Sequence, residues 1–174
     1  KSPSVFDFEK LLWFNGEYIH KLDDAIFNEK IESFIKSDIP STVNKQKMLA
    51  LLKTRIAKLS DMDEKMAFFL SLPEYDKELF LNKKNKIADF DIVKTVLTEA
   101  KTILAAVESF DNDTLFAALM PIAEKLQIKT GTLMWCVRIA VSGMTATPGG
   151  ATEIMEVIGK NESIARIKIA IEKI

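Results

Sequence analysis

One cysteine, Cys136, and one histidine, His20, are all that the 174 residues contain of either type. A lone cysteine excludes an intrachain disulfide framework and a multi-cysteine zinc site. A lone histidine excludes histidine pairs and triads as metal ligands, so no metal is expected. Glycine and proline are scarce, at 6 and 5 residues, while 48% of the chain is hydrophobic and 28% charged, which rules out fibrous and disordered classes. The length suits one large domain or two small ones. Charge of one sign is also missing: 24 Lys+Arg stand against 25 Asp+Glu, so any polyanion site must be local. Apolar runs are short, and even residues 132–141 are interrupted by Arg138, below the roughly 18 to 20 residues of a membrane span. No basic stretch followed by an apolar run opens the sequence, so the expectation is a soluble, cytoplasmic fragment with no signal peptide and no membrane partner.

Apolar residues recur at three and four positions. Ile92, Val93, Val96, Leu97, Ala100, Ile103, Leu104 and Val107 form one stripe on a helix of about five turns. Start signals agree: Ser41 precedes a helix over 42–59, Ser60 with Asp63 opens one over 61–70, and Asp89 precedes the long helix. Strand-like alternation is short, so the fold expected is all-α, with the opening residues 4–18 the least defined. Breaks fall at Pro40, Pro73, residues 82–86 and residues 145–150, and Pro121 should kink or restart the helix over 114–126. No fixed-period repeat is present.

Although charge balances globally, it does not balance locally. No acid lies between Asp38 and Asp61, an interval that holds Lys45, Lys47, Lys53, Arg55 and Lys58. On a continuous helix Lys47, Arg55 and Lys58 share a ridge beside the apolar stripe of Met48, Leu52, Ile56 and Leu59. A second acid-free interval from Lys125 to Thr152 holds Lys125, Lys129 and Arg138. Each interval is either a solvated face whose counter-charges come from other helices or a surface for a phosphate backbone, and charge pattern alone does not choose.

Three C-terminal stretches carry more information: Gly131 through Trp135-Cys136-Val137-Arg138 to Gly143, then Thr147-Pro148-Gly149-Gly150-Ala151-Thr152-Glu153, then Ile158-Gly159-Lys160-Asn161-Glu162-Ser163 with Arg166-Ile167. In order, spacing and residue type they resemble the end of bacterial glutamyl-tRNA synthetases. The opening Phe6-Asp7, Lys10-Leu11, Trp13, Asn15 and Tyr18-Ile19 is similar to the segment that follows the signature lysine loop of the same family. The resemblance spans the chain and is most specific at its two ends and over residues 55–70. It implies a stem-contacting segment at 1–22, a first anticodon-binding helical subdomain at 23–110 and a second at 111–174, two packed helical bundles in all.

The same resemblance implies a division of labour. The family's catalytic module uses a His-x-Gly-His-type motif and a Lys-Met-Ser-Lys-Ser-type loop, and neither can be written here: there is one histidine, and Lys58-Leu59-Ser60-Asp61 lacks the second basic residue. No glycine-rich phosphate cradle follows a strand either. The chain alone is therefore expected not to charge tRNA, with ATP and Mg2+ belonging to a separate catalytic portion. The partner implied is glutamate tRNA, not DNA, bound by a monomer.

By position in the matching stretch, Arg55 resembles the arginine that recognises the cytosine at the third anticodon base. A guanidinium offers a planar fork of donors and a face for stacking. Arg138 and Thr147 resemble residues that contact the first two anticodon bases, with Pro148 and Gly149 completing a rigid corner that lets backbone approach a base. Arg138 also interrupts the apolar residues 133–141 without a nearby acid, which favours exposure beside a ligand over an unpaired buried charge. Lys47 and Lys58 are candidates for phosphate contacts and Trp135 for base stacking, against the alternative that Trp135 belongs to the core. Cys136 stands where the family usually has proline, which alters the start of the helix that carries Arg138; its lone thiol reads as core.

Two rival readings belong to other classes. One is a helical protein-interaction module without nucleic-acid binding, which the amphipathic stripes allow. The other is an enzyme built on paired carboxylates, Asp89 with Asp91 or Asp111 with Asp113, pairs better explained as helix starts.

Overall fold

A computed structural model describes residues 7–174, so the beginning of the expected 1–22 segment, Phe6 included, lies outside the described residues. Short polar side chains open most of the early helices by accepting from otherwise unpaired first-turn N–H groups. Asp7 accepts from Lys10 N at 3.0 Å and starts α1, Phe8–Lys21. Asp23 accepts from Ala25 N at 2.8 Å and starts α2, Asp24–Ile31. Asn44 accepts from Lys47 N at 3.1 Å and starts α3, Lys45–Lys53. α4, Met62–Leu70, follows a short 3-10 turn.

Two of these starts differ from the sequence reading. The helix expected over 42–59 begins at Lys45, after its cap Asn44, and stops at Lys53, where Thr54 takes φ −80° and ψ 0° and Arg55 N returns to Leu52 O at 2.8 Å. Asp63 does not cap α4. It accepts instead from Ser37 N and Lys36 N, both at 2.9 Å, and pins the segment before α3. Those amides hold its carboxyl below the ordinary carboxylate range.

The second half contains the longest helix among the described residues, α5, Phe90–Ala106. Asp89 caps α5 through Asp91 N at 3.1 Å and Ile92 N at 3.3 Å. Its buried stripe of Val93, Val96, Leu97, Ala100 and Leu104 is the one read from the period, and truncating Leu97 to alanine should destabilise by about 2–5 kcal/mol. α6, Asn112–Lys125, begins at Asp111, which accepts from Thr114 N at 3.0 Å. α6 runs through Pro121 without restarting; the carbonyl that proline leaves unbonded belongs to the exposed Ala117, where water can satisfy it. α7, Thr130–Ser142, α8, Ala151–Ile158, and α9, Lys160–Lys173, complete the chain.

The fold is all-α, and only an isolated bridge between Asn82 and Ile87 interrupts the helices among the described residues. That bridge, together with Thr132 Oγ1 donating to Asn85 O at 2.6 Å, fastens the polar turn to the start of α7. α5 lies against α9 and α6, and α7 against α8 and α9. The short α8 also touches α3 and α4, so one cluster of buried side chains runs from Ile19 to Ala170. No helix among the described residues is long and apolar enough to cross a membrane.

Candidate nucleic-acid interface

The cations of the two acid-free intervals separate into paired and unpaired groups. Lys45 bonds both Glu32 oxygens at 2.6 and 2.9 Å, Lys47 pairs with Glu156, and Lys58 pairs with Asp61 at 3.2 Å. Lys53 is structural: its stem is buried and its Nζ donates to Leu22 O at 2.6 Å and Asp24 Oδ1 at 2.5 Å. Lys125 bonds Glu99 at 2.8 Å. Arg55, Lys129 and Arg138 have no carboxylate partner within 4 Å among the described residues. Carboxylates thus neutralise every lysine of the two intervals except Lys129, while both arginines keep uncompensated charge among the described residues.

These two arginines meet. An open groove of about 630 Å³ is lined by Arg55 on the segment leaving α3, by Arg138 on α7, and by Thr147, Pro148 and Gly149 on the loop between α7 and α8. Residues 93 positions apart are brought together there, as Arg55 Nε donates to Pro148 O at 3.4 Å. That bond aims the guanidinium along the loop and leaves both terminal nitrogens free for a ligand. Arg138 is half-buried, and its Nε is buried without any hydrogen-bond partner. An N–H left in that state costs about 1–3 kcal/mol.

The loop has its own internal order. Thr147 Oγ1 donates to Gly149 O at 2.7 Å, so the hydroxyl proton holds the corner and only its lone pairs face outward. A Cβ on Gly149 would lie 3.0 Å from Glu153 Oε2 and 3.1 Å from Leu51 Cδ2, closer than a side chain tolerates without displacing them. Glu153 accepts from Gly150 N at 2.6 Å, which starts α8 directly beneath the corner.

Other candidate residues lie elsewhere. Lys47 lines a neighbouring cleft with Asp111, Asp113, Glu153 and Glu156. Neither Lys58 nor Trp135 lines the groove. The half-buried Trp135 packs on the core, and its indole N–H is shared between Leu79 O at 3.2 Å and Phe80 O at 3.1 Å. Cys136 lies inside α7, six residues past its first residue, and burial pushes its thiol up to about 12. Asp111 is committed to its cap and to the Ser109 hydroxyl at 2.6 Å, which together hold it far below the usual range. Among the described residues no group of three or more acids, cysteines or histidines is placed to hold a metal.

The groove also contains residues that sequence reasoning passed over: Ala50, Leu51 and Thr54 from the end of α3, and Glu153. The three-residue spacing from Gly150 to Glu153 was the available signal for the latter, since it is that of a helix-opening box. On the other side of Arg55 and Pro148 lies a second cavity of about 560 Å³ with Leu52, Phe68, Pro73 and Met144 in its wall.

Comparison with known proteins places this geometry. The glutamate–tRNA ligase of Clostridium tetani is 37% identical over 174 residues, covering all of this chain and 36% of that protein. The glutamate–tRNA ligase of Clostridium acetobutylicum is 39% identical over 175 residues, with the same coverage. The chain thus spans about a third of the length of the curated relatives it matches. A crystal structure of a glutamate tRNA ligase from Elizabethkingia meningosepticum superposes with a TM-score of 0.81 over 96% of this chain and 32% of that one, at 24% identity. A glutamate–tRNA synthetase structure from Elizabethkingia anophelis gives 0.75 at 22% identity, and both establish the fold. The family model described as an anticodon binding domain matches residues 10–171, and the chain belongs to the anticodon binding domain family.

Proposed function

We propose that this chain grips the anticodon loop of glutamate tRNA as the non-catalytic part of a cytoplasmic glutamate–tRNA ligase, whose remaining portion attaches glutamate with ATP and Mg2+. The observation that carries the reading is the groove itself: two arginines without carboxylate partners among the described residues line it together with the half-buried Thr147-Pro148-Gly149 loop. Lys and Arg supply affinity for phosphates, while a fork such as Arg55 discriminates among unstacked bases. In this reading Arg55 reads the third anticodon base, and Arg138 with Thr147, Pro148 and Gly149 reads the first two. Lys47 and Lys58 steer phosphates only by exchanging their present acid partners.

The division into 1–22, 23–110 and 111–174 belongs to the same proposal, with α5 packed across the second boundary against α6, α7 and α9. α1 leaves Trp13 61% and Tyr18 68% exposed, with Leu11, Leu12 and Phe14 also exposed around the helix, apolar surface suited to the rest of a longer protein. The groove and the family match favour this reading over a protein-interaction module.

The test is anisotropy with two labelled hairpins, the anticodon stem-loop and the acceptor stem of glutamate tRNA. The anticodon hairpin should bind more tightly, with affinity that falls steeply as salt rises. Equal binding of the two hairpins would contradict the proposal.

A further inference from the structure

Arg166 on α9 is the largest fully buried side chain among the described residues, with 0% exposure. A guanidinium in the interior needs its donors taken, and here four bonds use four of its five N–H groups. Nε donates to Glu162 Oε1 at 2.6 Å, Nη1 to Phe68 O at 2.7 Å and Val141 O at 2.8 Å, and Nη2 to Phe69 O at 3.1 Å. The three carbonyls belong to the last turns of α4 and α7, where a helix leaves its acceptors unpaired and its dipole favours a cation. One side chain therefore ends two helices at once and fixes their separation.

The exit of α7 leads to the groove, and that of α4 leads to the adjoining cavity, where Pro73 shares a wall with Arg55 and Pro148. The chain leaving α7 turns at Gly143, with φ +66°, and runs directly into the Thr147-Pro148-Gly149 corner. A Cβ on Gly143 would come within 2.8 Å of Tyr75 Cδ1 and 3.0 Å of Pro73 Cγ, so this exit is pressed against the chain leaving α4. Arg138 lies one turn before Val141 on α7, and Pro148 O meets Arg55 Nε. Stability alone is a weak reason for an arginine here, since apolar groups of similar volume often stabilise an interior as well as buried ions do.

Resting on the anticodon reading above, we propose that Arg166 is a positioning residue for base discrimination: by joining the ends of α4 and α7 it sets the spacing between Arg55, Arg138 and the loop. It touches no tRNA. Its replacement changes how well bases are told apart and leaves phosphate attraction alone.

The experiment measures Kd for glutamate tRNA and for the same tRNA with its third anticodon base exchanged, across a salt series. The parent chain, Arg166→Lys and Arg166→Met are compared, with thermal unfolding recorded for each. The parent should discriminate. Arg166→Lys, which keeps the charge and can bond two carbonyls, should lower the Kd ratio about tenfold with the salt slope unchanged, and Arg166→Met should lower it further. A folded Arg166→Lys with the parent's ratio overturns the proposal, as does loss of fold in both variants, which would make Arg166 a residue of general stability. Absence of discrimination in the parent would instead remove the anticodon reading on which the proposal rests.

Discussion

Arg55→Lys separates a positive charge from a base reader. Arg55 is exposed, forms no ion pair among the described residues, and makes a single long bond of 3.4 Å to Pro148 O. Its loss should therefore change folding stability by no more than about 0.5 kcal/mol. Lysine keeps the charge and so keeps the attraction to phosphates, but it lacks the planar fork. A bidentate contact to a base is worth about 1–3 kcal/mol of discrimination, equivalent to roughly 5- to 150-fold in the ratio of two dissociation constants. Fluorescence anisotropy with the cognate tRNA and with a third-base variant yields that ratio directly, and a salt series yields the charge term. The expected outcome is a collapsed ratio with an unchanged melting temperature and salt slope. A variant that keeps the parent's ratio would show Arg55 acting as a point charge and refute the assignment.

Arg138→Leu should leave the melting temperature level or raise it, because the buried Nε has no bond to lose, while anticodon hairpin affinity falls about tenfold. Gly143→Ala should destabilise by about 1–3 kcal/mol in denaturant titrations, since φ is +66° and the new methyl meets Tyr75 and Pro73. Asp63 has a folded pKa below its value of 3.8 in the open chain, chiefly through the Ser37 amide and then that of Lys36. Its stabilising effect is present above that open-chain value and is lost as pH falls toward the folded one. Unfolding midpoints should therefore decline with acid below about pH 4, and less steeply in Asp63→Asn.

Particular residues show how much the chain discloses before it is folded. The stripe on α5 and the caps at Asp89 and Asp111 were legible because they depend on neighbours within four residues. The long basic helix was not, because no breaker marks its end. It stops at Lys53 where tertiary partners hold the following segment: Asn15 donates to Ala57 O, and Arg55 to Pro148 O. The ridge of Lys47, Arg55 and Lys58 accordingly does not exist as one helix face. Counter-charges from Glu32, Asp24 and Glu156 are equally invisible to a scan for local acids, since they arrive from α2, the turn after it and α8.

At the groove, resemblance and geometry made separate contributions. Arg55, Arg138, Thr147, Pro148 and Gly149 were chosen by resemblance, and the fold lines one groove with all five. Trp135 illustrates the opposite case, an aromatic at helical spacing whose N–H is consumed by two carbonyls away from that groove. Arg166 entered the sequence reading only as part of a matching stretch. Its buried bonds span 97 and 98 residues to α4 and 25 to α7, and leave no local signature.

The central claim is that this chain reads the anticodon of glutamate tRNA. Titration of the 174-residue chain into intact glutamate tRNA, and into the same tRNA with its third anticodon base exchanged, at 50 and 200 mM salt by order of magnitude (~0.05 and ~0.2 M), tests it most directly. The account predicts binding that weakens with salt for both and is weaker for the exchanged tRNA at either salt. Equal affinity for the two tRNAs, or no binding to either, would contradict it.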